Sequence, residues 1–146
     1  MTPSQVLVGL LEAEHAAVWA YGLLGARLAD EELEQARAAH DAHRRSRDAL
    51  VPLVRDAGKE PPAPPVAYDV RVADRAQALA LAVDLEDGLA VRWRDLVGAT
   101  EDVALRRLGV SGLTGCAARA ARWRSLAGVR PTTVAFPGDP DRSARP

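Results

Sequence analysis

Apolar positions along the chain recur at three- and four-residue spacing in four stretches, each too long to be a strand. The first stripe runs Val6, Leu7, Leu10, Leu11, Val18, Tyr21, Leu24 and Leu28, and the second runs Leu33, Ala36, Leu50 and Val54. The third is Leu79, Ala82, Val83, Leu89, Ala90, Trp93, Leu96 and Val97, and a fourth follows it toward Ala127. This period predicts helices over about 3–28, 31–56, 75–98 and 101–127.

Start and stop signals agree with the period. Thr2, Pro3 and Gln5 form a capping-box pattern, and Asp74 with Gln77 repeats it. Asp30 is the expected cap of the second helix, with Glu31 and Glu32 set against the positive end of its dipole, and Thr100 is the expected cap of the fourth. Pro52 is expected to kink or loosen the last turn of the second helix. Gly109, Gly112 and Gly115 fall on one face of the fourth, where they permit a close helix approach or mark a break.

Residues 57–73 carry four of the chain's ten prolines, which predicts an extended crossover pinned to the surface by Val66, Tyr68 and Val70. Residues 131–146 hold four more and read as an irregular tail, with Phe136 docked on the bundle and the chain mobile beyond Pro140. Short connections make the first and second helices, and the third and fourth, antiparallel neighbours. The expected fold is an all-α, antiparallel four-helix bundle over residues 1–130, with a long Pro-rich crossover between its second and third helices.

Composition narrows the function classes. The 146 residues are 48% apolar, 27% charged and carry a formal charge of −1, so there is no global basic field for nucleic acid. Cys116 is the lone cysteine, which excludes an intramolecular disulfide and a thiolate cage; it reads as a small buried residue. No leader or membrane span is evident, so a cytoplasmic protein is expected.

Polar residues interrupt the stripes at mid-height: Glu14 in the first helix, His40 and His43 in the second, Glu86 in the third. His40 and His43, spaced i, i+3, fall on one face, and two carboxylates opposite them make a donor set for one divalent metal (Fe, Mn or Zn). The plainer reading is that histidine and glutamate bond one another in a metal-free polar cluster that fixes helix register, and no cofactor is then expected. An inward Arg119 or Arg122 would neutralise Glu14 or Glu86 in place of a metal. Arg37, Arg44, Arg45 and Arg47, with Arg119, Arg122 and Arg124, are the densest basic groups; solvated faces paired with acids is the first reading, an anion or nucleic-acid surface the second. Glu12 and His15 lie off the seam, and Trp19, Trp93 and Trp123 are expected to cap the ends of the core or to sit in an interface.

The stretches LLEAEHAAVWAYGLLGARL, ARAAHDAHRRSRDAL and ALALAVDLEDGLA, with AARAARWR and AFPGDP, resemble the ferritin-like superfamily, and within it an uncharacterised ferritin-like family of high-GC bacteria. In ferritin-like di-metal proteins two helices each give one Glu and the other two each give Glu-x-x-His. By this resemblance Glu14 and Glu86 match the single carboxylates and His43 the first histidine, while His40 stands where a glutamate belongs. The second motif is missing, because no carboxylate or histidine follows Asp102 in the fourth helix. The resemblance therefore implies a degenerate site: a mononuclear remnant, with metal-dependent oxidoreductase chemistry as its enzymatic form, or a metal-free, non-catalytic bundle. It also implies association through helix faces, most simply as a homodimer.

Overall fold

The computed structural model describes residues 1–143; the expectation of a mobile end therefore falls partly on residues 144–146, outside the described residues. Four long helices make the architecture: α1 (Pro3–Leu24), α2 (Asp30–Asp56), α3 (Arg75–Ala99) and α4 (Val103–Leu126). A 3-10 turn covers Gly25–Arg27, and a one-turn α5 covers Pro140–Ser143. No strand occurs among the described residues.

Two apolar clusters fix the topology. One joins Leu7, Leu10 and Leu11 early in α1 to Leu50 and Val54 late in α2 and to Trp93 and Leu96 late in α3. The other joins Tyr21, Leu24 and Leu28 to Ala36 and Ala39 early in α2, Leu79 and Ala82 early in α3, and Trp123 near the end of α4. Helix α1 is thus antiparallel to α2 and α3, α2 and α3 run the same way, and α4 returns along α3. Consecutive parallel helices need a connection as long as the bundle, and residues 57–73 supply it without regular structure.

The helix ends differ from expectation in ways their hydrogen bonds explain. α1 stops at Leu24 because the chain tightens over Gly25–Arg27 and then turns extended at Leu28, which is buried. α2 begins at Asp30 after an extended Ala29 that makes no side-chain cap; three acids in the first turn compensate its dipole instead. α4 is capped by Asp102, whose Oδ1 accepts from the Leu105 amide at 2.8 Å, while Thr100 Oγ1 accepts from the Asp102 amide and shapes the turn before it. α2 runs through Pro52 to Asp56. The glycines do not break α4: its helix is continuous, and Gly112 lies against the Trp93 indole.

Val66 does not pin the crossover; it is 99% exposed. The pins are Tyr68, whose ring meets Trp19 at 5.7 Å, and His15, whose Nε2–H donates to the Pro62 carbonyl at 3.1 Å. Tail residues are laid along α3 and α4, where Arg94 donates to the Gly138 carbonyl at 2.9 Å. The segment Pro3–Arg27 is long and apolar enough to cross a membrane by length and composition. Within the bundle its inner face is core, with Leu10, Leu11, Ala17 and Leu24 sealed from solvent around a buried Glu14.

Candidate functional site: a buried polar network

Glu14, His43 and Glu86 meet at the centre of the bundle, each with 0% of its surface exposed. His43 bridges the two carboxylates, its Nδ1 bonded to Glu14 Oε2 at 2.7 Å and its Nε2 to Glu86 Oε1 at 3.0 Å. Arg119 reaches in from α4 and places Nε 3.0 Å from both oxygens of Glu86. Two aromatic donors complete the shell: Trp93 Nε1 donates to Glu14 Oε1 at 3.1 Å, and the Tyr21 hydroxyl donates to Glu86 Oε1 at 2.5 Å. Trp123 Nε1 donates in turn to the Tyr21 oxygen at 2.9 Å.

The network balances charge. Burial alone would push the His43 imidazole down, but hydrogen bonds to Glu14 and Glu86 and their charges lift it to about 9, so it is an imidazolium at neutral pH. Burial disfavours the Glu86 carboxylate, yet His43, Arg119 and Tyr21 together hold it below the usual carboxylate range. Two cations thus face two carboxylates, and no buried side-chain nitrogen or oxygen lacks a partner among the described residues. Tyr21 is raised well above its ordinary value by burial and by Glu86, which keeps it a phenol donor. Burial and Glu86 push the Cys116 thiol up as well, so it is a poor nucleophile despite lying 3.4 Å from an Arg119 nitrogen.

His40 stays outside this centre. Buried positions on α2 run Ala36, Ala39, His43, Leu50 and Val54, a narrow seam, and His40 follows Ala39 by about 100° around the helix. Its side chain is 32% exposed and lies 3.9 Å from Asp41 at the edge of a cleft of about 360 Å³ between α1 and α2. The proposed set of four donors therefore loses one member. The remaining donors do not fit a divalent ion, whose ligands must aim lone pairs at one common point. Here both His43 nitrogens are engaged by carboxylates and a guanidinium covers Glu86; no group of three or more His, Cys, Asp or Glu side chains is arranged to hold a metal among the described residues.

Four members of the network, Arg119, Tyr21, Trp93 and Trp123, carry a weaker sequence signal than the carboxylates and His43. Of the two arginines that the sequence offers for an inward position, Arg119 enters the core and Arg122 is exposed. Tyr21, Trp93 and Trp123 read as apolar or end-capping residues, although the seven-residue spacings Glu14–Tyr21 and Glu86–Trp93 put each aromatic on its carboxylate's face. Of the tryptophans, only Trp19 is partly exposed. Arg37 pairs with Glu34 and Arg47 with Asp48 on α2, whereas Arg124 of α4 is buried and pairs with Asp87.

Fold and site together define a helical bundle built around a charge-balanced polar core. The chain belongs to the family described as "Domain of unknown function (DUF4439)", which matches residues 7–141 and so spans every member of the network. It is similar to a conserved hypothetical protein, rv2844, from Mycobacterium tuberculosis, known from a crystal structure: 30% sequence identity, a TM-score of 0.82, and coverage of 92% of this chain and 96% of that one. No curated protein matches the chain.

Proposed function

We propose that this chain is a non-catalytic, ferritin-like cytoplasmic protein that acts through binding or assembly. In this reading an ion-pair network stands where ferritin-like relatives hold a di-metal centre. The order of helix directions, with a long crossover between two parallel helices, supports the ferritin-like part. The observation that supports the metal-free, non-catalytic part is the Arg119 guanidinium on both oxygens of Glu86, a fixed cation against a carboxylate that a metal would need as a ligand.

Elemental analysis of protein purified without chelators tests this. The expected result is substoichiometric iron, manganese and zinc, unchanged in a His43→Ala variant. Stoichiometric metal that disappears in that variant would overturn the proposal and favour a mononuclear metal protein.

A further inference from the structure

The tail motif AFPGDP plays no part in the polar core, yet it closes a cleft against α3. Gly138 makes the approach possible: its φ is +77°, and a Cβ there would stand 2.8 Å from the Ala90 carbonyl oxygen. Arg94 holds the same residue to α3 through the Gly138 carbonyl. Tail residues from Val134 to Pro140, with Asp87, Gly88 and Val91 on one face of α3, line a cleft of about 440 Å³. That volume falls within the range of small-molecule sites.

Its walls are of two kinds. Val91, Val134, Phe136 and Pro140 are apolar, Asp87 and Asp139 carry carboxylates, and none of the described residues that line it is basic. Each carboxylate is held from outside the cleft, Asp87 by Arg124 and Asp139 by Arg94 at 3.5 Å. These pairs fix the carboxylates without using all of their lone pairs, and Asp87 Oδ1 accepts no hydrogen bond from the described residues. Phe136 already carries a cation, with the Arg142 guanidinium carbon 4.0 Å from its ring centroid. An aromatic ring, apolar walls and carboxylates with acceptor capacity are what an organic cation requires. An anion would meet two like charges and no basic side chain, and a purely apolar molecule would bury the carboxylates without giving them a donor.

We propose that this cleft binds a small organic cation, a protonated amine on an aromatic or apolar body, with its charge toward Asp87 and Asp139 and its body against Val91, Val134 and Phe136. The site lies outside the polar core, so the inference goes beyond the metal-free reading and stands or falls apart from it. Titration of the full chain with phenethylamine, followed by amide chemical shifts, tests it, with phenethyl alcohol and hydrocinnamate as the neutral and anionic matches. The amine is expected to saturate with a Kd of about 1 mM or tighter and to bind about tenfold or more better than either match. Its shifts are expected to centre on Gly88, Val91 and Gly138. Gly88→Leu sends a side chain into the cleft, where an added Cβ meets nothing within 4 Å, and is expected to abolish saturation. Gly88 is exposed on a helix, so that variant folds. Asp139→Asn keeps the Oδ1 acceptor of the Arg142 amide and is expected to weaken the amine about fivefold by removing the charge. No saturation by about 10 mM amine, equal binding of the alcohol, or wild-type binding by either variant overturns the proposal.

Discussion

Tyr21 donates to Glu86 across 2.5 Å, and the same helix register carries Trp93 to Glu14 at 3.1 Å. Tyr21 lies two turns past Glu14 on α1, and Trp93 lies two turns past Glu86 on α3. Because the helices are antiparallel, the aromatic of each meets the carboxylate of the other. A slip of one turn would strand both carboxylates and both donors in the core, so the polar layer specifies the register that leucine packing alone would leave loose.

Tyr21→Phe tests that relationship. It removes the donor to Glu86 and the acceptor of the Trp123 ring N–H while conserving shape. One buried N–H is left unpaired, and the expected loss is about 2 kcal/mol in urea unfolding with an unchanged denaturant slope. A change within about 0.5 kcal/mol would mean that water reaches the site and satisfies these groups.

Arg119→Met asks whether the guanidinium neutralises Glu86. Removing one partner leaves a buried carboxylate undercompensated, and with 19% of the arginine side chain exposed the expected loss is about 3 kcal/mol. Glu86→Gln combined with Arg119→Met should cost clearly less than the two single changes added, because the double variant buries no unpaired charge from this pair. Simple additivity would show that the two residues do not interact energetically.

The charge pattern sets a pH profile. The folded value of His43 is raised from 6.5 to about 9, so its contribution is fully present below pH 6.5 and is lost as pH rises through about 9. That contribution is on the order of 3 kcal/mol. Glu86 is shifted the other way, so its contribution is present above its ordinary 4.5 and is lost as pH falls through the folded value. Stability should peak between these limits and fall on the alkaline side, and His43→Gln should flatten that alkaline limb. A wild-type melting temperature that stayed level from about pH 7 to 10 would contradict a charged His43.

Much of this was legible in the residues. Helix period and the proline-rich gap at 57–73 give four helices and the long crossover, because both are local signals. Glu14, His43 and Glu86 could be placed together since each interrupts an apolar stripe at the same depth. His40 could not be separated from His43 in the same way: an i, i+3 pair shares a broad face, and only the packed width of α2, set by Ala36 and Ala39, turns it outward. Asp102 and Thr100 are both good caps two residues apart, and the choice between them depends on how the turn from α3 closes. The Tyr21 and Trp93 pairings rest on the register between helices, which no single stripe encodes.

Gly112 of α4 and Gly22 of α1 give a final contrast, between a residue required by packing and one merely tolerated. A Cβ on Gly112 would stand 2.2 Å from Trp93 Cδ2 and 2.5 Å from Cε2, inside the ring's own volume. Trp93 cannot retreat, because its ring nitrogen is held by Glu14 and its surface is 2% exposed. Gly112→Ala should therefore force α4 away from α3 or dislodge the indole, with an expected loss of about 3 kcal/mol and a shift in tryptophan fluorescence. Gly22 on α1 meets nothing within 4 Å of the same added atom. There the higher helix propensity of alanine acts alone, and Gly22→Ala should stabilise the fold by about 0.5–1 kcal/mol. Measured side by side by urea unfolding, equal effects of the two substitutions would show that α4 does not depend on close approach at Gly112.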